Sequence, residues 1–309
     1  MPAVAALSSL LAAPVRADAQ RLRAAFHEAR PFRHVVIDDF LERASADALL
    51  SEFPGFEQGN FIGDDGQPGG KSTVARVRGL GSGFRALDDI IQSKAFLGWL
   101  GEVTGIPDLL YDPFYLGGGT HENRHGQSLA AHVDFNYHPS ERWHRRLNLI
   151  VYLNPQWDAA WGGSLQLFAD PYADSAPALS VTPAFNRCVI FETTEHSWHG
   201  FDPIMLPDAQ RALSRKSVAL YFYSRERPAE ETAGRHTTHY VHRQLPTRIQ
   251  ADYRLDANDV DELRGLLQQR DALIRQLYDE NSQLLQAQDR GLAGKLIYLA
   301  KRLYVRGRR

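Results

Sequence analysis

His132 and Asp134 stand two residues apart in the text AHVDFNYHP. On a β-strand, positions i and i+2 project from the same side, so an imidazole and a carboxylate would converge on one face. The pair alone says little, because a chain with 12 histidines meets the pattern by chance. Its context is FETTEHSWHGF, where His196 and His199 each offer a second imidazole from a distant strand. Two histidines and one carboxylate on one face suit ferrous iron and leave positions open for substrate and oxygen. Downstream, Arg215 begins the apolar strand Ser217–Tyr223 and shares a face with Ser217, Ala219 and Tyr221. A guanidinium there would be buried without a partner unless a carboxylate enters the fold's interior. A dicarboxylate cosubstrate would supply one.

The elements that must position these groups are short. Between Leu109 and Ser224, apolar runs at Leu147–Leu153, Ser164–Phe168, Cys188–Glu192 and Ser217–Tyr223 alternate with Gly, Pro, Asn and Asp. That spacing points to a sandwich or barrel and away from alternating βαβ units. In Leu147–Leu153, Asn148, Ile150 and Tyr152 share one face and the leucines and Val151 the other. A polar strip backed by an apolar one fits a ligand-holding barrel. Upstream, Leu10, Leu11, Val15, Leu22 and Phe26 keep a helical period, which favours a packed N-terminal helix over a cleaved signal segment. His34–Ile37 reads as a buried strand, and a helix near Ser45–Phe53 follows with Ser45 as its cap. The Gly-rich stretch 55–83 reads as loop, a candidate lid, and Phe84–Thr104 as one helix.

Residues 110–225 resemble the Fe(II)/2-oxoglutarate-dependent oxygenases, in the prolyl-4-hydroxylase-like branch. The resemblance runs in order through Tyr115, HVDFN, RRLNLIVYLNPQW, GGSLQLF, SWHGF and RKSVALYFY, and PFRHVVIDDFL is similar to the N-terminal segment of bacterial members. It implies a double-stranded β-helix, a jelly roll with iron at its mouth. It also implies His132, Asp134 and His199 as catalytic metal ligands, since histidine before glycine after Ser-Trp is the family's usual form; His196 is the rival. Arg215 would then grip the cosubstrate's distal carboxylate, with Tyr115, Asn148, Tyr152 and Ser217 completing the cosubstrate site. The implied cofactors are Fe(2+), 2-oxoglutarate and O2, with ascorbate as a candidate further ligand. The implied activity is dioxygenase hydroxylation of an unactivated C–H bond, on a peptidyl proline, with a glycan or small metabolite as the alternative. A non-catalytic jelly-roll binding protein is the reading from a different class.

The fold class expected is therefore α+β, mainly β: N-terminal helices over residues 1–30, a jelly roll over 31–228, a polar linker over 229–256, a coiled-coil-like helix over 257–290 and a basic amphipathic tail over 291–309. In the linker, His236, His239 and His242 recur at a spacing that could share a helix face and hold a metal, although a solvated surface segment is preferred. Val260, Leu263, Leu267, Arg270, Ile274, Leu277, Asn281 and Leu284 fall at successive a and d heptad positions, which favours a homodimer. The tail's leucines and unbalanced Lys and Arg suit peripheral contact with an anionic membrane, although a soluble basic tail is preferred. In the 309 residues, 35 Lys and Arg nearly balance 37 Asp and Glu, so no global field draws the chain to nucleic acid. Its one cysteine, Cys188, excludes an intramolecular disulfide and fits a cytoplasmic setting, and an inert buried thiol is expected. His121, His125, His138 and His144 are expected on loops, and Trp161 and Trp198 as rim or core aromatics.

Overall fold

The computed structural model describes residues 7–62, 68–241, 245–246 and 248–290. The chain divides into two compact units, the first made of Met1–Phe61 with Gly69–Gln244 and the second of Ile62–Pro68 with Leu245–Arg309.

The first unit is built on two antiparallel sheets. The larger runs in the order β1 (His34–Ile37), β10 (Arg187–Glu192), β7 (His144–Tyr152), β12 (Arg215–Ser224), β5 (Gly119–Asn123), β3 (Pro68–Val74) and β2 (Asn60–Ile62), with β4 (Leu110–Tyr111) also paired to β12. The smaller runs β13 (His239–Val241), β6 (Leu129–Val133), β11 (Trp198–Phe201), β8 (Leu165–Phe168) and β9 (Leu179–Val181). Between β5 and β12 the chain crosses repeatedly from one sheet to the other, which is the jelly-roll plan.

Each face of the large sheet has its own partner. Leu147, Leu149, Val151, Cys188, Ile190, Val218, Leu220 and Phe222 face outward into the main core. Helices cover them: α1 (Ala13–Ala17), α2 (Ala19–Glu28), α3 (Arg43–Ser51), α4 (Ser82–Ile91) and α5 (Lys94–Thr104), contributing side chains such as Leu22, Phe26, Phe84 and Phe96. The opposite face meets the small sheet, where Tyr152, Val189 and Phe191 pack on Leu165, Leu167 and Val181. The period-2 alternation thus separates a helix-covered face from an interior one. Leu10, Leu11, Val15, Leu22 and Phe26 are all buried, and so is Cys188, whose thiol burial pushes well up from its usual range.

Four local expectations give way. The stretch 55–83 is not a plain loop: β2 and β3 pair at the edge of the large sheet, with Thr73 opposite His121. Among the described residues of β3 only Ser72–Val74 pair with β5, so Pro68 and Gly69 need not satisfy a ladder on that side. Phe84–Thr104 is two helices, because Ser93 caps α5 by accepting the Phe96 N–H at 3.2 Å, and Gly105 ends it at φ +72°. Ser45 lies within α3 rather than capping it, and its hydroxyl donates to the Ser9 carbonyl. Residues 239–241 of the presumed linker form β13, so His239 lies on a strand and not on a helix. His242 and the tail 291–309 lie outside the described residues.

In the second unit α6 (Ala257–Arg290) begins with a reciprocal bond: Asp259 N donates to Asp256 Oδ1 and Asp256 N to Asp259 Oδ2. Arg248 and Tyr253 also bond the Asp259 carboxylate. Among the described residues no helix is long and apolar enough to cross a membrane.

Leu149 is fully buried on the central strand β7. Leu149→Ala should lower unfolding free energy by about 2–5 kcal/mol, read as a reduced urea midpoint with unchanged far-UV dichroism.

Candidate metal centre

The two central strands of the small sheet, β6 and β11, bring the histidines together. His132 and His199 are direct cross-strand partners, their ring centroids 4.2 Å apart. Asp134 follows β6 immediately, and one ligand-type atom from each of the three lies within 4.8 Å of the others. Asp134 Oδ1 is 3.7 Å from His132 Nε2, and Oδ2 is 3.5 Å from His199 Nε2. In both imidazoles Nδ1 donates to the carbonyl two residues upstream, Ala130 or Ser197, at 2.9 Å. That bond fixes the tautomer and leaves Nε2 as the basic nitrogen facing the cluster.

Electrostatics prepare the same state. Burial pushes the His132 pKa down to about 3, aided by His199, and burial likewise lowers His199. Burial opposes ionisation of Asp134, but the Arg145 guanidinium and the two imidazoles outweigh it and hold the carboxyl well below its usual range. Two neutral imidazoles and a carboxylate are the form in which these side chains ligate a divalent cation.

Glycine is required beside His199. A Cβ on Gly200 would lie 2.6 Å from the Leu129 carbonyl oxygen, where β6 carries a bulge between the residues facing His199 and Phe201. His196 is exposed on the preceding turn and is outside the cluster.

Arg215 is 5% exposed on the interior face of β12. Its Nε donates to the Gly163 carbonyl at 2.7 Å, Nη2 to the Tyr152 hydroxyl at 3.2 Å and Nη1 to Asn123 Oδ1 at 3.5 Å. Among the described residues no carboxylate pairs with it, and burial depresses its pKa. The guanidinium carbon lies 4.3 Å from the Phe201 ring centroid. Phe201 shares a strand face with His199, two residues or roughly 7 Å along β11. A buried cation without an anion, one strand step from a cluster of metal-type ligands, is a cradle for an anionic chelator's far end. Ser217 is buried one step along the same face of β12.

Two sequence-selected residues make other contacts. Tyr115 is in the helix-side core, where its hydroxyl donates to Asp88 Oδ1 at 2.8 Å beside Tyr111. A carboxylate buried on α4 captures it, a long-range pairing with no local signature. Asn148 does face the interior, but its Nδ2 donates to Asp134 Oδ2 at 2.8 Å and its Oδ1 accepts from Arg145. It supports the ligand carboxylate. Among the remaining histidines, His121 lies on β5 and His144 begins β7, so neither is on a loop, while His138 is on a loop but fully buried, with Nε2 3.5 Å from Asp112 Oδ1.

Sequence reasoning passed over Arg145, which is 1% exposed and lies 3.1 Å from Asp134 Oδ2. It also passed over Tyr240 on β13, whose ring centroid is 5.2 Å from that of His132.

A two-histidine, one-carboxylate cluster between the sheets of a jelly roll defines a class of metal-dependent oxygenase. The family comparison agrees: residues 118–223 match the model of the 2OG-Fe(II) oxygenase superfamily. Ferrous iron and 2-oxoglutarate are that superfamily's metal and cosubstrate. The curated prolyl 3-hydroxylase OGFOD1 of Mus musculus is 32% identical over 88 residues, which are 28% of this chain and 15% of that protein. The chain therefore matches only a small part of that relative's length. Solved structures similar to this one include a Trichoplax adhaerens prolyl hydroxylase in complex with a hypoxia inducible factor peptide fragment. It has a TM-score of 0.49 and 15% identity, over 68% of this chain and 92% of the other. A Phytophthora capsici prolyl 4-hydroxylase has a TM-score of 0.46 and 21% identity, over 84% and 72%.

Tyr115→Phe removes a buried hydrogen bond to a carboxylate. It should cost about 1.5–3 kcal/mol of stability in chemical denaturation and leave 2-oxoglutarate affinity, measured by calorimetry, unchanged.

Proposed function

We propose that the chain is an Fe(II)- and 2-oxoglutarate-dependent dioxygenase that hydroxylates an unactivated C–H bond, with oxidative decarboxylation of 2-oxoglutarate to succinate and carbon dioxide. The observation that carries the reading is the convergence of His132, Asp134 and His199 beside a buried Arg215 that lacks a carboxylate partner among the described residues.

In this reading His132, Asp134 and His199 hold the iron, which supplies activation of dioxygen once 2-oxoglutarate and substrate are in place. The chain's own contributions are orientation, charge and exclusion of water. Arg215 orients the cosubstrate through its distal carboxylate, and the Tyr152 hydroxyl, already bonded to Nη2, keeps the guanidinium aimed inward. Phe191, with its ring centroid 4.7 Å from that of His199, presents an apolar wall. The half-buried rings of Phe135, Tyr221 and Tyr240 stand near the ligands and offer apolar faces without charge. Such a surround suits a saturated ring presented in a peptide, and a peptidyl proline is the substrate we assign. A glycan or small metabolite would carry the same chemistry, and mass spectrometry of treated extracts separates them by which molecule gains one oxygen atom.

Anaerobic Fe(II) and 2-oxoglutarate should together give a weak visible charge-transfer band. His199→Ala should abolish it and uncoupled succinate formation, while His196→Ala leaves both. A well-folded wild type with no band refutes the assignment. Arg215→Ala should raise the 2-oxoglutarate requirement by roughly 30- to 1,000-fold, the equivalent of about 2–4 kcal/mol for a bidentate charge-assisted contact.

For α6 we propose pairing with a second copy of the chain. Leu267, Ile274 and Leu277, at heptad a and d positions, are 60%, 49% and 52% exposed. Ile274→Glu should convert a dimer to a monomer in sedimentation velocity without altering succinate formation. A wild type that sediments as a monomer at micromolar concentration overturns this.

A further inference from the structure

Arg145 is the second residue of β7 and is 1% exposed, as buried as the apolar core. Its guanidinium carbon lies 3.7 Å from the Tyr221 ring centroid and 4.4 Å from that of Phe135, between the two rings. Its polar edge also meets Asp134 and Asn148. Nη2 lies 3.1 Å from Asp134 Oδ2, while Nε and Nη2 donate to Asn148 Oδ1 at 3.1 and 2.8 Å. Asn148 Nδ2 returns to the same Asp134 Oδ2 at 2.8 Å. Both side-chain donors therefore meet one carboxylate oxygen, Oδ2, which also lies 3.5 Å from His199 Nε2, while Oδ1 lies 3.7 Å from His132 Nε2.

This is more than a core ion pair would need. A cation buried only for packing is better served by both oxygens of its carboxylate, in the bidentate fork that guanidinium geometry favours. Here the second oxygen is withheld. The charges matter as well: with neutral imidazoles, Asp134 and Arg145 sum to zero, so the ligand set attracts a bare dication less than an unaccompanied carboxylate would. Once the dication is present, the surplus positive charge favours a dianion beside it.

We propose that Arg145 is a positioning residue. It commits Oδ2 of Asp134, presents the carboxylate to the metal through one oxygen, and biases the centre toward metal together with dianionic cosubstrate over metal alone. The inference rests on the reading of His132, Asp134 and His199 as a metal site.

The bias gives a pair of effects opposite in sign. In the full-length protein without dioxygen, Arg145→Gln should bind Mn(II) about fivefold or more tightly in calorimetry. Its manganese-loaded form should bind 2-oxoglutarate at least tenfold more weakly. Arg145→Lys restores the charge and should return both constants to within about threefold of wild type. Circular dichroism and thermal midpoints confirm that each variant is folded. A merely structural role would weaken both affinities together, and that result overturns the proposal, as do unchanged affinities in a folded Arg145→Gln. Where Arg145→Gln does not fold, Arg145→Lys decides alone: wild-type affinities uphold the proposal, and a loss of both overturns it. A wild type that fails to bind Mn(II) refutes the metal site itself.

Discussion

The direct pairing of His132 with His199 across β6 and β11 is the contact on which the site depends. A strand slipped by one residue turns every side chain to the other face, so this register alone decides whether two imidazoles share the interior. It is held in two ways. Each imidazole Nδ1 is tied to its own strand through the carbonyl two residues upstream, and the crowding of Gly200 against Leu129 and Ala130 admits no side chain. Asp134 arrives by chain continuity, and Arg215 by the alternation of β12, which β7 and β5 flank on either side.

Two guanidiniums are then buried in the interior for different purposes. Arg145 has a carboxylate at 3.1 Å and aromatic faces on both sides, so its desolvation is offset within the chain. Arg215 has a carbonyl, a phenol and an amide, and burial lowers its pKa. A buried charge met only by dipoles is costly, and in the proposed reading the cosubstrate's carboxylate offsets that cost.

Much of this was legible in the text. Same-face spacing placed His132 with Asp134, and alternation placed Arg215 and Tyr152 inside. Where local parity failed, a bulge or a distant partner is responsible. The reasoning that found Arg215 applies equally to Arg145, a cation near the start of an apolar strand. Strict alternation, however, puts Arg146 and not Arg145 on the face of Asn148. The register shift at Phe222/Tyr223, which places Leu147 opposite Phe222 but Arg145 opposite Tyr223, reverses that parity and carries Arg145 to Asp134. Tyr115 failed for the other reason, since Asp88 is 27 residues away and no spacing rule announces the bond.

The polar segment after Pro228 shows why composition misleads at a sheet edge. Its sequence carries no apolar period, yet β13 pairs with β6 and sets Tyr240 opposite His132. Around it Asn136 donates to the Gly234 carbonyl at 2.8 Å and accepts from the His236 N–H at 3.0 Å, while His236 Nε2 stands 2.9 Å from Glu195 Oε2. These are main-chain and polar-tip contacts, which any solvated-looking sequence can make. The strand that shields His132 thus contributes one ring and a ladder of backbone bonds. Water exclusion at that side of the centre is held by hydrogen bonding and not by a packed apolar core, which is why hydrophobic pattern could not reveal it.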